Sequence, residues 1–245
     1  MAGVPKDPTE IFSEITDDYK SLYGADLISM ILYGSAVGPD YRPGKSDINF
    51  MIVLSEGAIE GLDKAFKTVA KWRRRNVAIP LFLTEAYIQS SLDVFPIEYL
   101  NFQQNHRLVF GNDVLEGLAF KTEDVRLQCE REIKGKLLLL REAFLETMGK
   151  GRQLKELIGR SLGALSAIFE ALLYLKEETP LTGKRAIIAR TCELFDLDGT
   201  LFAKLLDLKE EKLKPDRDEL RVMFRDYLNQ MRKLAQGVDA LGGAK

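Results

Sequence analysis

Histidine and tryptophan occur once each in the 245 residues, and cysteine only twice. A lone His106 excludes a histidine-rich metal centre. Cys129 and Cys192 lie in helix-like patterns without CxxC spacing, which argues against a structural zinc site and against a disulfide framework. Neither sign of charge is in excess, because 35 Lys and Arg stand against 37 Asp and Glu for a formal net charge of −2. A protein held to long nucleic acid by general basicity is therefore not expected, although a local basic site for a nucleotide is compatible with this balance. No run approaches the roughly 20 consecutive apolar residues of a membrane-spanning helix, and the opening MAGVPKDPTE lacks the apolar stretch of a signal peptide. These absences give a cytoplasmic expectation with no membrane partner. What is present, 46% hydrophobic and 29% charged residues with a mean hydropathy of −0.12, suits a soluble chain with material for a core.

The pattern changes character near residue 120. Before it, four short apolar runs have strand length: Leu27–Tyr33, Asp47–Leu54, Val77–Leu83 and Phe95–Phe102. Helical spacing over Thr9–Tyr23, and again through Ile59, Leu62, Phe66 and Val69, predicts an opening helix and a second one ending in Arg73-Arg74-Arg75. That arginine run reads as a solvated helix end complementing the dipole. After residue 120 the strand signal vanishes. Val125–Thr147, Leu154–Lys176, Lys184–Phe195, Thr200–Leu206 and Asp216–Leu241 read as helices, broken at Gly149, Gly151, Pro180, Gly183, Gly199 and Pro215. The expectation is an α/β (α+β) domain over 1–120, with helices flanking the sheet, followed by an all-α helical bundle over 121–245.

Chemistry concentrates in Leu32-Tyr33-Gly34-Ser35, then a polar turn, then Ser46-Asp47-Ile48-Asn49-Phe50. A strand running into Gly-Ser leaves backbone N–H groups uncovered at a tight turn, where they can cradle phosphate. Alternation along the next strand puts Asp47 and Asn49 on one face, roughly 7 Å apart, with Ile48, Phe50 and Ile52 turned to a core. Both polar residues offer oxygen to a hard cation such as Mg²⁺. Glu98, read as lying in an apolar strand, is costly there unless paired or ligating. Strand alternation puts Asn101 on the opposite face from it. His106 reads as a hydrogen-bonded or surface residue. Lys134, Lys136, Lys184 and Arg185 are cations within reach of a nucleotide or simply solvated.

On these residues the chain resembles the nucleotidyltransferase superfamily, the fold shared by DNA polymerase β and the aminoglycoside adenylyltransferases. The family signature is Gly-Ser, a spacer, then Asp-x-Asp or Asp-x-Glu opening a strand, with a third carboxylate later. Gly34, Ser35 and Asp47 match it, and Pro96-Ile97-Glu98 looks like the Pro-hydrophobic-Glu of the bacterial aminoglycoside enzymes. The resemblance covers about residues 20 to 115, and a helical C-terminal domain is also the arrangement in that group. It implies a mixed sheet flanked by helices and transfer of AMP from ATP to a hydroxyl of a small-molecule or protein acceptor. It further implies phosphates held at Gly34 and Ser35, Mg²⁺ or Mn²⁺ at Asp47, Asn49 and Glu98, and catalytic roles for Asp47 and Glu98.

Asn49 departs from the family's carboxylate. At an effective dielectric of 20, a unit charge pair at 4 Å is worth about 4 kcal/mol, and a divalent ion roughly doubles that. The competing expectation is therefore a catalytically weakened or inactive relative that binds nucleotide or a partner. Nothing in the sequence decides the acceptor, and a homodimer stays open.

Overall fold

The computed structural model describes residues 3–39 and 41–242. It divides into two compact units, Met1–Asp93 with Tyr99–Ala119, and Val94–Glu98 with Phe120–Lys245. In the first unit β1 (Leu27–Tyr33), β2 (Asn49–Leu54), β3 (Leu81–Leu83) and β4 (His106–Gly111) form a sheet in the order β3-β2-β1-β4. β1 runs antiparallel to β2 and β4, and β2 runs parallel to β3, so the sheet is mixed. Met30 and Leu32 of β1, with Ile48, Phe50 and Ile52, build one core with Ile11, Ile15 and Tyr19. The last three come from α1 (Phe12–Tyr23) and the short 3-10 turn before it. Trp72 of α2 (Phe66–Arg73) closes that core, and its indole N–H donates to Asp18 at 2.8 Å. Ile31, Met51 and Val53, on the other face of the sheet, are buried as well.

Several sequence expectations shift here. The stretch Phe95–Phe102 is not a strand: α4 (Pro96–Gln104) is a helix that begins at a proline, whose missing N–H costs nothing at a first helical position. Short apolar runs do not by themselves separate strand from helix. The fourth strand is instead His106–Gly111, half-exposed along its length at the sheet edge, and so without an apolar run to announce it. In the third run only Leu81–Leu83 pairs as a strand, after an isolated bridge between Ile48 and Val77, because Pro80 has no N–H for the ladder. Ile59–Ala65 is a 3-10 helix interrupted at Gly61, which turns the Phe66 side chain out to solvent. In the arginine run, Arg75 donates to Glu14 of α1 at 2.6 Å and lies over the Trp72 ring. α3 (Glu85–Ser90) is capped by the Thr84 hydroxyl.

The second unit carries α5 (Thr122–Glu146), α6 (Gly151–Leu175), α7 (Lys184–Leu194), α8 (Gly199–Lys209) and α9 (Arg217–Ala240), close to the helices expected from periodicity. Its centre is a run of rings: Phe169 meets Phe202, Phe202 meets Tyr227, Tyr227 meets Phe224, and Phe224 stacks on Phe144 at 4.7 Å. The buried Tyr227 hydroxyl is matched to Ser161 at 2.9 Å, as a polar group in such a core requires. Asp198 caps α8, and Asp216 forms a capping box with Glu219 on α9. α6 is long and apolar enough by length and composition to cross a membrane, with a mean hydropathy of 1.4 over its most apolar stretch. Half of that stretch is buried inside the protein, as in a core helix. Lys134, Lys136 and Arg185 are engaged by Glu130, by Glu132, and by Asp207 with Glu210.

β4 ends against the backbone of β1. Gly111 has φ +79, and a methyl group there would lie 2.0 Å from the Ile28 carbonyl oxygen. Gly117 has φ +75 with open space around it. Both substitutions to alanine pay the left-handed penalty of about 1–2 kcal/mol. Gly111→Ala adds an overpacking cost of about 1–3 kcal/mol. Urea unfolding should therefore show Gly111→Ala losing about 1–3 kcal/mol more stability than Gly117→Ala loses, and equal losses would refute this account of the strand junction.

Candidate functional site

β1 delivers the chain to the site and β2 starts from it. Tyr33, the last residue of β1, pairs with Asn49, the first of β2. Directly after Tyr33 the chain turns through the 3-10 segment Gly34–Val37, with Gly34 at φ +77. A left-handed residue there ends the extended path of β1 at once, in a conformation that glycine takes without steric cost. Ala36 is buried in the core and pins the turn, while Gly34 and Ser35 stay exposed. The pairing places the Asn49 amide against this turn: a methyl group on Gly34 would stand 3.5 Å from Asn49 Nδ2. Gly34 and Asn49 are thus brought together.

Asp47 lies one residue before the β2 bridge at Ile48 and is exposed. Its backbone is bracketed on both sides by Asn76, a residue that sequence reasoning passed over. The Asn76 side chain donates to the Ser46 carbonyl at 2.8 Å, and its own carbonyl accepts from Ile48 N–H at 3.0 Å. Asn76 sits at φ +65, a left-handed position to which asparagine is well suited. An asparagine closing a basic helix end was the available signal. Upstream, the loop closes on itself where Ser46 N–H donates to the Arg42 carbonyl and the Ser46 hydroxyl accepts from Arg42 N–H. The donor set at the strand start is one exposed carboxylate and one half-buried amide. Hard oxygen donors of this kind suit Mg²⁺ that keeps most of its shell on substrate phosphates. Among the described residues, no three His, Cys, Asp or Glu side chains gather into a metal cluster.

Glu98 lies on α4, in the segment grouped with the helical unit, and its side chain is exposed. One of its carboxylate oxygens accepts from the Gln128 amide at 2.7 Å. Because this segment is helical, Glu98 and Asn101 are one helical turn apart, and the alternation that set them on opposite faces does not apply. Gln128 is the second residue that the sequence did not announce.

His106 is hydrogen-bonded, as expected. On β4 it pairs with Tyr33, its Nδ1 meets the Gln103 carbonyl at 3.0 Å, and its Nε2 meets Asp113 at 2.8 Å. Partial burial opposes the Asp113 charge, but hydrogen bonds from His106 and from Leu115 N–H outweigh it and hold this carboxyl below its ordinary range. The ring therefore ties the end of α4 to the loop after β4.

No protein-family model matches the chain, and no curated protein matches it. Solved structures do match. The crystal structure of spectinomycin adenyltransferase AAD(9) from Enterococcus faecialis with ATP and spectinomycin is similar to it at a TM-score of 0.51 and 12% identity, over 90% of this chain and 99% of that one. At such identity the likeness is one of fold: a mixed four-stranded sheet flanked by helices, followed by a helical region.

Proposed function

We propose that this protein is a cytoplasmic nucleotidyltransferase that moves AMP from Mg-ATP to a hydroxyl of a small-molecule or protein acceptor. The observation that carries the reading is the junction of the Gly34 turn with the Asp47-Ile48-Asn49 strand start. The structural neighbour's own description as an adenyltransferase with ATP and spectinomycin supports it. Near-neutral overall charge favours a compact acceptor over long nucleic acid.

In this reading the uncovered N–H groups at Gly34 and Ser35 bind the β- and γ-phosphates. Asp47, with the Asn49 carbonyl, would hold the divalent ion that arrives on ATP. The ion's chemistry is to neutralise phosphate charge. Glu98 accepts the acceptor's hydroxyl proton as that oxygen bonds to the α-phosphorus and the bond to pyrophosphate breaks. Incubation with labelled ATP, Mg²⁺ or Mn²⁺, spectinomycin and a panel of other hydroxyl acceptors tests the whole. Labelled product with pyrophosphate release is expected, and its absence beside a working control enzyme refutes transfer.

Asn49 supports a second reading, in which nucleotide binds and turnover has lapsed. Its amide supplies no charge where the resemblance leads one to expect a carboxylate. Asn49→Asp discriminates the two. A gain of tenfold or more in metal-dependent ATP affinity or transfer marks a lapsed site, whereas unchanged or lower activity from an active parent removes that reading.

The two carboxylates should separate under calorimetric titration of Mg-ATP. Asp47→Asn removes the only fixed negative charge of that strand start and should abolish metal-dependent binding while leaving the fold intact. Glu98→Gln should keep ATP affinity within about threefold and lower transfer by about 10²–10⁴, the range of general acid–base catalysis. Equal ATP affinity for Asp47→Asn and parent would end the assignment of this turn as the nucleotide site.

A further inference from the structure

Gln128 is buried on α5 among Val125, Cys129 and Ile133, with 4% of its surface exposed. A primary amide in such company is expensive unless its polar atoms are matched. Here both ends are used on one short segment: Oε1 accepts from Ile97 N–H at 2.8 Å, and Nε2 donates to Glu98 Oε2 at 2.7 Å. The assignment of oxygen and nitrogen is forced by chemistry. A backbone N–H can only donate, so the amide oxygen must face Ile97, and the nitrogen is then the atom left for the carboxylate. Ile97 is the second residue of α4, where helix N–H groups have no partner within the helix, and Pro96 before it has no N–H at all. One side chain therefore fixes the start of a helix and the carboxylate one residue further on.

We infer that Gln128 is a positioning residue for Glu98. The inference rests on the reading of Glu98 as the group that takes the acceptor's proton. Two consequences make it more than packing. The donor amide engages Oε2 as an acceptor only, which leaves Oε1 as the oxygen to receive a proton. It also removes the sweep of a long, exposed side chain, so that the base is held in one place before the acceptor arrives. Misplacement of a reacting group by about 1 Å costs on the order of 100-fold in rate.

Two substitutions divide the role. Gln128→Glu keeps an oxygen for Ile97 N–H but replaces the donor with a like charge beside Glu98. Gln128→Met keeps the length and removes both bonds without adding charge, and it covers the case in which a buried carboxylate fails to fold. With whichever acceptor the parent modifies, each folded variant should lose thirtyfold or more in kcat while KM for ATP stays within threefold. A residue that serves packing alone lowers the unfolding temperature and leaves that split unmoved. Adding Gln128→Met to Glu98→Gln should cost nothing more, because the two act as one unit. A kcat within twofold of parent in folded Gln128→Met, while Glu98→Gln abolishes transfer, overturns the inference and leaves Glu98 as base. A further tenfold loss in the double variant also overturns it, giving Gln128 a role independent of Glu98. If Glu98→Gln transfers as well as the parent, or the parent transfers to no acceptor, the reading of Glu98 falls and the inference with it.

Discussion

The register of β1 is the constraint on which the first unit of the protein depends. β1 is paired on both sides, so its last residue, Tyr33, is fixed opposite Asn49 on one neighbour and His106 on the other. A slip of one residue would exchange the faces of every side chain in the strand. It would also carry the Gly34 turn away from Asn49 and Asp47. Burial makes that slip costly, because Met30 and Leu32 sit on one core face while Ile31 is buried on the other. The site is thus held by apolar area some distance from the polar atoms that would do chemistry. The Tyr33 ring adds an edge-on contact with Phe102 at 4.8 Å, which links the same register to α4.

That arrangement separates two properties that the sequence presents together. The fold needs only the apolar residues of β1 and β2, the left-handed Gly34 and the small buried Ala36. None of these depends on whether position 49 carries a carboxylate or an amide. An amide at the half-buried first position of a buried strand is cheaper to desolvate than a carboxylate when no cation is bound. Asn49 therefore suits the architecture without metal at least as well as a carboxylate would, and under the proposed function its cost would fall on metal affinity. Under the proposed function, fold and activity would be free to diverge at this one position.

Legibility followed the same division. The Gly34-Ser35 turn, the strand start at Asp47 and the buried set Ile48, Phe50 and Ile52 were readable because a period of two and a glycine turn leave direct traces in sequence. The long helices of the second unit were readable from periodicity over 24 or 25 residues. α4 was not, because Phe-Pro-Ile-Glu-Tyr-Leu satisfies the strand template and a proline-started helix equally well. β4 was not, because an edge strand with one half-covered face needs no run of apolar residues, and Arg107 and Leu108 both lie at its surface. Nor were Asn76 and Gln128. Their work is to hold backbone and carboxylate atoms far away in sequence, and no local pattern encodes a partner 30 or 31 residues distant.

Side-chain amides recur wherever the chain must be held near these proposed functional residues. Asn76 holds the segment carrying Asp47, Gln128 holds Ile97 and Glu98, and Gln103 donates to the carbonyls of Leu115 and Leu118 in the loop after β4. The physical reason is shared. An amide carries a donor and an acceptor on one rigid plane and no net charge, so it can bridge a backbone group and a second polar atom without the desolvation cost of an ion. A lysine or arginine in the place of Gln128 would hold Glu98 more strongly, but it would offer nothing to Ile97 N–H and would commit the carboxylate to an ion pair. In the proposed reading, neutral holders leave the carboxylates of Asp47 and Glu98 for a metal or a proton. The proposed chemistry would then draw its charge from these carboxylates and its geometry from the amides that hold them.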